Sequence, residues 1–234
     1  MPNKNSLPPP RERAEFLSAM AARRTRSRRD KFAGGRLWLA RNFTEAALPC
    51  IGTDALALAQ QAYDKGKAAI YLPTRLAAAT HEAGHAIVAT ALGRRVIGME
   101  VTQFDEGWHG ITFYENGLKR LSPNQSQNTL LAGAAMAIAG FIAEKSFITD
   151  SDGETSASDR ATFMAAIYCA TGLCHGRAEL LRESVIDFVT ETLAANAATL
   201  NQLVAALDRH GTLSDEQDLR RLLAGVEKRV IRGL

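Results

Sequence analysis

Arg75-Leu-Ala-Ala-Ala-Thr-His81-Glu82-Ala-Gly84-His85-Ala-Ile-Val-Ala-Thr-Ala-Leu92 decides the reading of this chain. It contains no proline and is rich in alanine, the best helix former, so it predicts one uninterrupted helix. Pro73-Thr74 marks its start, and Gly93 is a natural C-cap, followed by Arg94 and Arg95 near the negative helix end. Leu76, Ala83, Ile87 and Ala91 are candidates for a buried stripe. Within the helix, His81 and His85 stand four residues apart, so both imidazoles project from one face, one turn from each other.

That spacing is the His-Glu-x-x-His pattern. Two neutral imidazoles one turn apart can grip a single metal ion, and zinc suits them together with an oxygen ligand in a tetrahedron that keeps one position open. Glu82, next to His81, reaches toward a water rather than the metal, the position of a general base that takes the proton of an attacking water and passes it to a leaving amine. With five His and fourteen Glu in the chain, shuffled sequences give this pattern about 0.6% of the time, so it is a specific signal. Gly84 breaks the helical rule, since glycine inside a helix costs roughly 1 kcal/mol relative to alanine. Close approach of another element at that point is the expectation.

A third ligand is needed. Asp150, Asp152, Glu154, Asp159 and Glu144 are candidates, with His109 and His175 as alternatives. Local grounds favour Asp159, because Ser156-Ala-Ser-Asp159 has the form of a capping box and would fix the carboxylate in the first turn of a helix.

Outward from this stretch, residues 96–115 are rich in β-formers (Val96, Ile97, Val101, Ile111, Phe113, Tyr114) and predict a hairpin or short meander. Ser122-Pro123-Asn124-Gln125 reads as the start of a helix that runs to about Phe147, with Gly133 and Gly140 near one face. A polar loop over 150–158, a helix from Ala157 to Cys169 or Ala170, one or two helices over 177–207 and a last one over 216–229 complete a mainly helical body with one small sheet. Residues 44–70 also read as helix. The low-charge run Thr129–Ala143 spans about fifteen residues against the roughly twenty of a membrane span, so a buried helix is expected.

The chain has 234 residues, 46% hydrophobic and 23% charged, which excludes a wholly disordered chain. Three cysteines without a Cys-x-x-Cys exclude a disulfide scaffold and a cysteine-only zinc finger. No apolar targeting segment is visible in the first forty residues, and a cytoplasmic location is the expectation. The net charge of +3 hides an asymmetry: residues 1–41 hold eleven Lys or Arg against three acids, while the rest is acidic overall. We therefore divide the chain into a basic N-terminal arm, 1–43, and a body, 44–234. The arm is a candidate contact for nucleic acid or an anionic surface. Against that, it holds only Phe16, Phe32 and Trp38 as stacking aromatics.

At these residues the sequence resembles the peptidase domain of the FtsH family of zinc metalloproteases. His81-Glu-Ala-Gly-His-Ala-Ile-Val88 matches the family's His-Glu-Ala-Gly-His stretch. Ala139-Gly-Phe-Ile-Ala-Glu144 is similar to its Ala-Gly-Arg-Ala-Ala-Glu segment, with Phe141 and Ile142 in place of Arg-Ala. Ser156-Ala-Ser-Asp159-Arg-Ala-Thr162 looks like its Gly-Ala-Ser-Asn-Asp segment, whose Asp is the third zinc ligand. The resemblance covers roughly residues 70–225 and implies an FtsH-type helical fold, Zn2+ held by His81, His85 and Asp159, Glu82 as catalytic base, and endopeptidase activity on unfolded or flexible polypeptide. It also implies that the hairpin beside the zinc helix offers an edge strand to substrate, near Gly107-Trp108-His109-Gly110, where Trp108 is either a packing aromatic or a substrate contact. The departures are as informative. No Gly-x-x-x-x-Gly-Lys-Ser/Thr loop is present, so ATP-driven unfolding is not encoded in this chain. The family's sixfold ring leaves a homo-oligomer, including a hexamer, open rather than implied. Two other readings stand beside general proteolysis: a dedicated regulatory protease that cleaves one partner, like the ImmA/IrrE type in role, and a non-catalytic module that works through its basic arm.

Overall fold

The computed structural model describes residues 74–104, 107–115, 125–148, 157–171 and 175–231. The basic arm, the helix expected over 44–70, the Ser156 cap, and Asp150, Asp152 and Glu154 lie outside the described residues. In chain order the elements are α1 (Arg75–Ala91), β1 (Val96–Phe104), β2 (Gly107–Tyr114), α2 (Gln127–Phe147), α3 (Ala157–Thr171), α4 (His175–Ala195), α5 (Ala197–His210), β3 (Thr212–Leu213) and α6 (Glu216–Leu223). The fold is mainly helical with one small antiparallel sheet, as the sequence predicts.

Helix α1 is the axis of the molecule. Thr74 caps its start by accepting a hydrogen bond from the Ala77 amide, and Gly93 follows its end at φ 79°, the left-handed conformation that glycine adopts without strain. Every residue from Ala77 to Ala91 is buried, so α1 is covered all round rather than along one stripe. Leu76, expected in the core, is instead 49% exposed, because it lies in the first turn before the helix enters the interior. A buried alanine methyl contributes only about 0.8 kcal/mol. Seven alanines in α1 matter more for how closely neighbours can come. At Gly84 a Cβ would stand 2.6 Å from Ala143 Cβ and 2.7 Å from the Ala139 carbonyl oxygen of α2. The glycine therefore admits α2 at backbone distance, as its helix-breaking character predicts.

Helix α2 begins four residues later than the sequence signal at Ser122. Its N-cap is Ser126, whose Oγ accepts from the Thr129 amide at 3.3 Å. Its end at Phe147 is as expected. Among the described residues α2 is the one helix long and apolar enough to cross a membrane, and 61% of its most apolar window is buried inside the molecule. At 21 residues it exceeds the fifteen-residue apolar run because polar turns extend it at both ends.

The sheet has the order β2-β1-β3. β1 and β2 pair antiparallel from Phe104↔Gly107 to Val96↔Tyr114, with an irregularity between Val96 and Gly98. The two-residue β3 pairs Met99↔Leu213 and Glu100↔Thr212. It was not foreseen, because two residues carry no local strand signal and their partner supplies the pairing. The last helix ends at Leu223 rather than Arg229. Beyond it the tail returns to α1, where Lys228 Nζ donates to the Thr90 carbonyl at 2.7 Å and the Arg229 amide to the Ala91 carbonyl at 2.8 Å. Both carbonyls lie in the last turn of α1, where helical partners run out; that of Thr90 also accepts from the Gly93 amide at 3.0 Å.

Candidate metal centre

Two elements, α1 and α3, bring His81, His85 and Asp159 together. The histidines come from consecutive turns of α1, with ring centroids 4.6 Å apart and planes inclined by 74°. Asp159 comes from the first turn of α3. His81 Nε2 lies 3.0 Å from His85 Nε2 and 3.0 Å from Asp159 Oδ2, and His85 Nε2 lies 3.4 Å from the same oxygen. Ligand atoms about 2.0–2.1 Å from a tetrahedral zinc stand about 3.3 Å from one another. The triangle of donor atoms therefore has the size that such an ion requires.

The outer nitrogens fix which atoms face the centre. His81 Nδ1 is 2.5 Å from Glu144 Oε1, and His85 Nδ1 is 2.7 Å from the Met136 carbonyl oxygen. Both partners are acceptors, so each Nδ1 carries a proton and each Nε2 faces the centre, where it can offer its lone pair. Two imidazole nitrogens and a carboxylate oxygen then converge on one point, a donor set that a single cation would satisfy together and that a proton shared between His81 Nε2 and Asp159 can also bridge. Metal-ligating histidines characteristically donate their second N–H to a carboxylate or carbonyl in this way. Glu144, one of the candidate ligands, is fully buried on α2 and is the partner behind His81 rather than a ligand. His109 lies on β2 and does not join the cluster, which among the described residues consists of His81, His85 and Asp159. His175 is the first residue of α4, and its side chain lies outside the described residues.

The ionisation of the site follows from these contacts. Burial alone would lower the His81 pKa, but the hydrogen bonds and charges of Asp159 and Glu144 outweigh it and hold the imidazole well above its ordinary value. For Asp159, burial acts upward, and its hydrogen bonds to His81 and His85 reverse this, keeping the carboxyl far below the usual range. Its side chain remains 25% exposed, the open side of an otherwise buried cluster.

Glu82 is held by strand β2. The Thr112 hydroxyl donates to Glu82 Oε2 at 2.7 Å, and a Cβ at Gly110 would overlap Glu82 Cγ and stand 2.7 Å from Oε1. Strand alternation puts Gly110, Thr112 and Tyr114 on one face of β2. Burial raises the Glu82 pKa, with partial compensation from His85, His81 and Thr112. Burial also pushes the Tyr114 phenol well up, and the charges of Glu82 and Asp159 push it further. Gly140 plays the same role for His81 as Gly110 for Glu82: a Cβ there would overlap His81 Nε2 and stand 2.5 Å from Cδ2. Sequence reasoning missed Thr112 and Gly110. The one available signal was a glycine two residues before a threonine in a predicted strand, which acquires meaning only once the register to α1 is known. Trp108, half-buried, packs against the core with the Arg75 guanidinium 4.9 Å above its ring.

No protein-family model matches the sequence, and comparison with curated proteins gives no significant match.

Proposed function

We propose that this chain is a zinc-dependent endopeptidase of FtsH-like peptidase type that hydrolyses peptide bonds in unstructured polypeptide. The observation that carries this reading is the triangle of His81 Nε2, His85 Nε2 and Asp159 Oδ2 with sides of 3.0–3.4 Å, with Glu82 beside it. His81, His85 and Asp159 would hold the zinc, which when bound polarises a carbonyl and lowers the pKa of water to about 7.

The chain's own residues do the rest. Glu82 accepts the proton of the attacking water and returns it to the amine that departs. Its raised pKa suits a group that must take up and release a proton. Thr112 holds one carboxylate oxygen, so the other is left for this exchange. A purely structural zinc site has no use for such a base. Among the described residues strand β2 is the end strand in the order β2-β1-β3, and an extended peptide pairing with its outer edge would lie along the strand that holds Glu82. Main-chain pairing of this kind recognises unfolded chain with little sequence preference.

The test combines metal analysis with proteolysis. The purified full chain should bind one zinc per chain and cleave casein, and Glu82→Gln should keep the zinc and lose cleavage. A protein that takes up no stoichiometric metal overturns the proposal.

A further inference from the structure

Helix α2 faces the metal cluster with a row of residues four apart. The Met136 carbonyl accepts from His85, a Cβ at Gly140 would overlap the His81 ring, and Glu144 takes His81 Nδ1. Phe141 follows Gly140 and so points about 100° round the helix from that row. It is half-buried and packs against the core, and the Arg160 guanidinium lies 4.7 Å above its ring. That is inside the roughly 6 Å over which an aromatic face attracts a cation. Arg160 belongs to the first turn of α3 and is the next residue after Asp159. Adjacent residues of α3 therefore meet two different helices: Asp159 reaches the imidazoles of α1, and Arg160 reaches the ring on α2. The first turn of a helix has amides without helical partners and is where fraying begins. A ligand carried on such a turn is preorganised only if something besides the ligand itself holds the turn. Phe141 is also a departure from the FtsH-like Ala-Gly-Arg-Ala-Ala-Glu pattern, and its ring gives Arg160 a seat that a second cation would not.

We propose that Arg160 and Phe141 are positioning residues for Asp159: their contact ties the first turn of α3 to α2 and presents the carboxylate to His81 and His85 before an ion arrives. Neither residue touches the ion or the substrate, and both act through Asp159. The inference rests on the reading of the cluster as a zinc site, but the tie between the two helices is a property of the metal-free chain and is measurable there. Without the contact the first turn of α3 opens more often, and zinc must reorder it on binding. The affinity falls by the fraction of chains in which Asp159 is out of place.

The test is a double-mutant cycle on the full chain with Phe141→Leu, Arg160→Met and both together. Two quantities are read: zinc Kd by competition with a chromogenic chelator, and hydrogen exchange of the Ala161, Thr162 and Phe163 amides in the metal-free protein. Phe141→Leu should weaken zinc about two- to fivefold, the worth of one half-exposed cation–π contact, and should speed exchange at these amides. In the Arg160→Met background the same change should do neither. Arg160→Met keeps an apolar stem of good helix propensity, and the loss of its charge beside a dication is common to both backgrounds and cancels in the cycle. Phe141→Tyr keeps the ring face and should leave both readings at the wild-type level. Equal effects of Phe141→Leu in the two backgrounds would mean that Phe141 acts by packing alone, and overturn the proposal. Coupled exchange in a chain that takes up no zinc upholds the tie between α3 and α2 and overturns the zinc reading instead.

Discussion

Glu82 is buried, and two neighbours on β2 define where its carboxylate can go. The glycine at 110 leaves the space, and the Thr112 hydroxyl takes Oε2. Thr112→Val should therefore lower kcat about tenfold, the worth of one hydrogen bond to a charged group, with zinc content and KM unchanged. Thr112→Ser should restore most of the loss. Glu82→Gln should cost at least about a hundredfold in kcat, the usual size of a general-base contribution, measured on a quenched peptide. Behind the metal, Glu144→Gln should weaken zinc about 10–100-fold by competition with a chromogenic chelator, because the partner of His81 Nδ1 orients the ring and raises its basicity. The sequence makes His81, Glu82 and His85 legible, because their relation is local and helical periodicity translates it into space. Asp159 is also legible as a first-turn acid of a predicted helix. Thr112 and Glu144 are not, since each meets α1 only through a tertiary contact, across 30 and 63 residues of chain. A buried glutamate in an alanine-rich helix looks like any ligand candidate until its partner is seen.

At the level of elements, α1 and α2 approach through small residues. Gly84→Ala illustrates the balance of forces. Helix propensity alone would favour alanine by roughly 1 kcal/mol. The new methyl, however, would meet a carbonyl oxygen of α2 at 2.7 Å, and backbone yields less readily than a side chain. Overpacking should win, with a net loss of about 1–3 kcal/mol in urea unfolding and no change in the metal ligands themselves. Helix positions were readable from alanine content and from Gly93, and the hairpin from its β-branched and aromatic residues. The start of α2 was misplaced because Ser122-Pro123 has the stronger local pattern, while Ser126 makes the actual cap. Strand β3 could not be read at all, because its two residues become a strand only against β1.

For the whole molecule, the cluster joins α1 to α3 directly and to α2 through Glu144 and the Met136 carbonyl. A bound ion would thus tie together three helices far apart in sequence. Holo protein at a free zinc concentration a hundred times Kd gains about 2.7 kcal/mol over the metal-free form. Chelation should lower Tm by about 5–10 °C for a body of this size, and added zinc should restore it.

The return of the tail to α1 sets the extent of any working unit. Lys228 and Arg229 occupy carbonyls at the foot of the histidine helix, and Val226 and Ile231 are buried beside them. A recombinant fragment cut after Leu223 would keep every residue of the metal cluster and still expose the base of the helix that bears it. Anyone trimming this protein to a minimal body should carry the irregular last stretch through Ile231, because it acts as the plug of α1 rather than as a dispensable trailer.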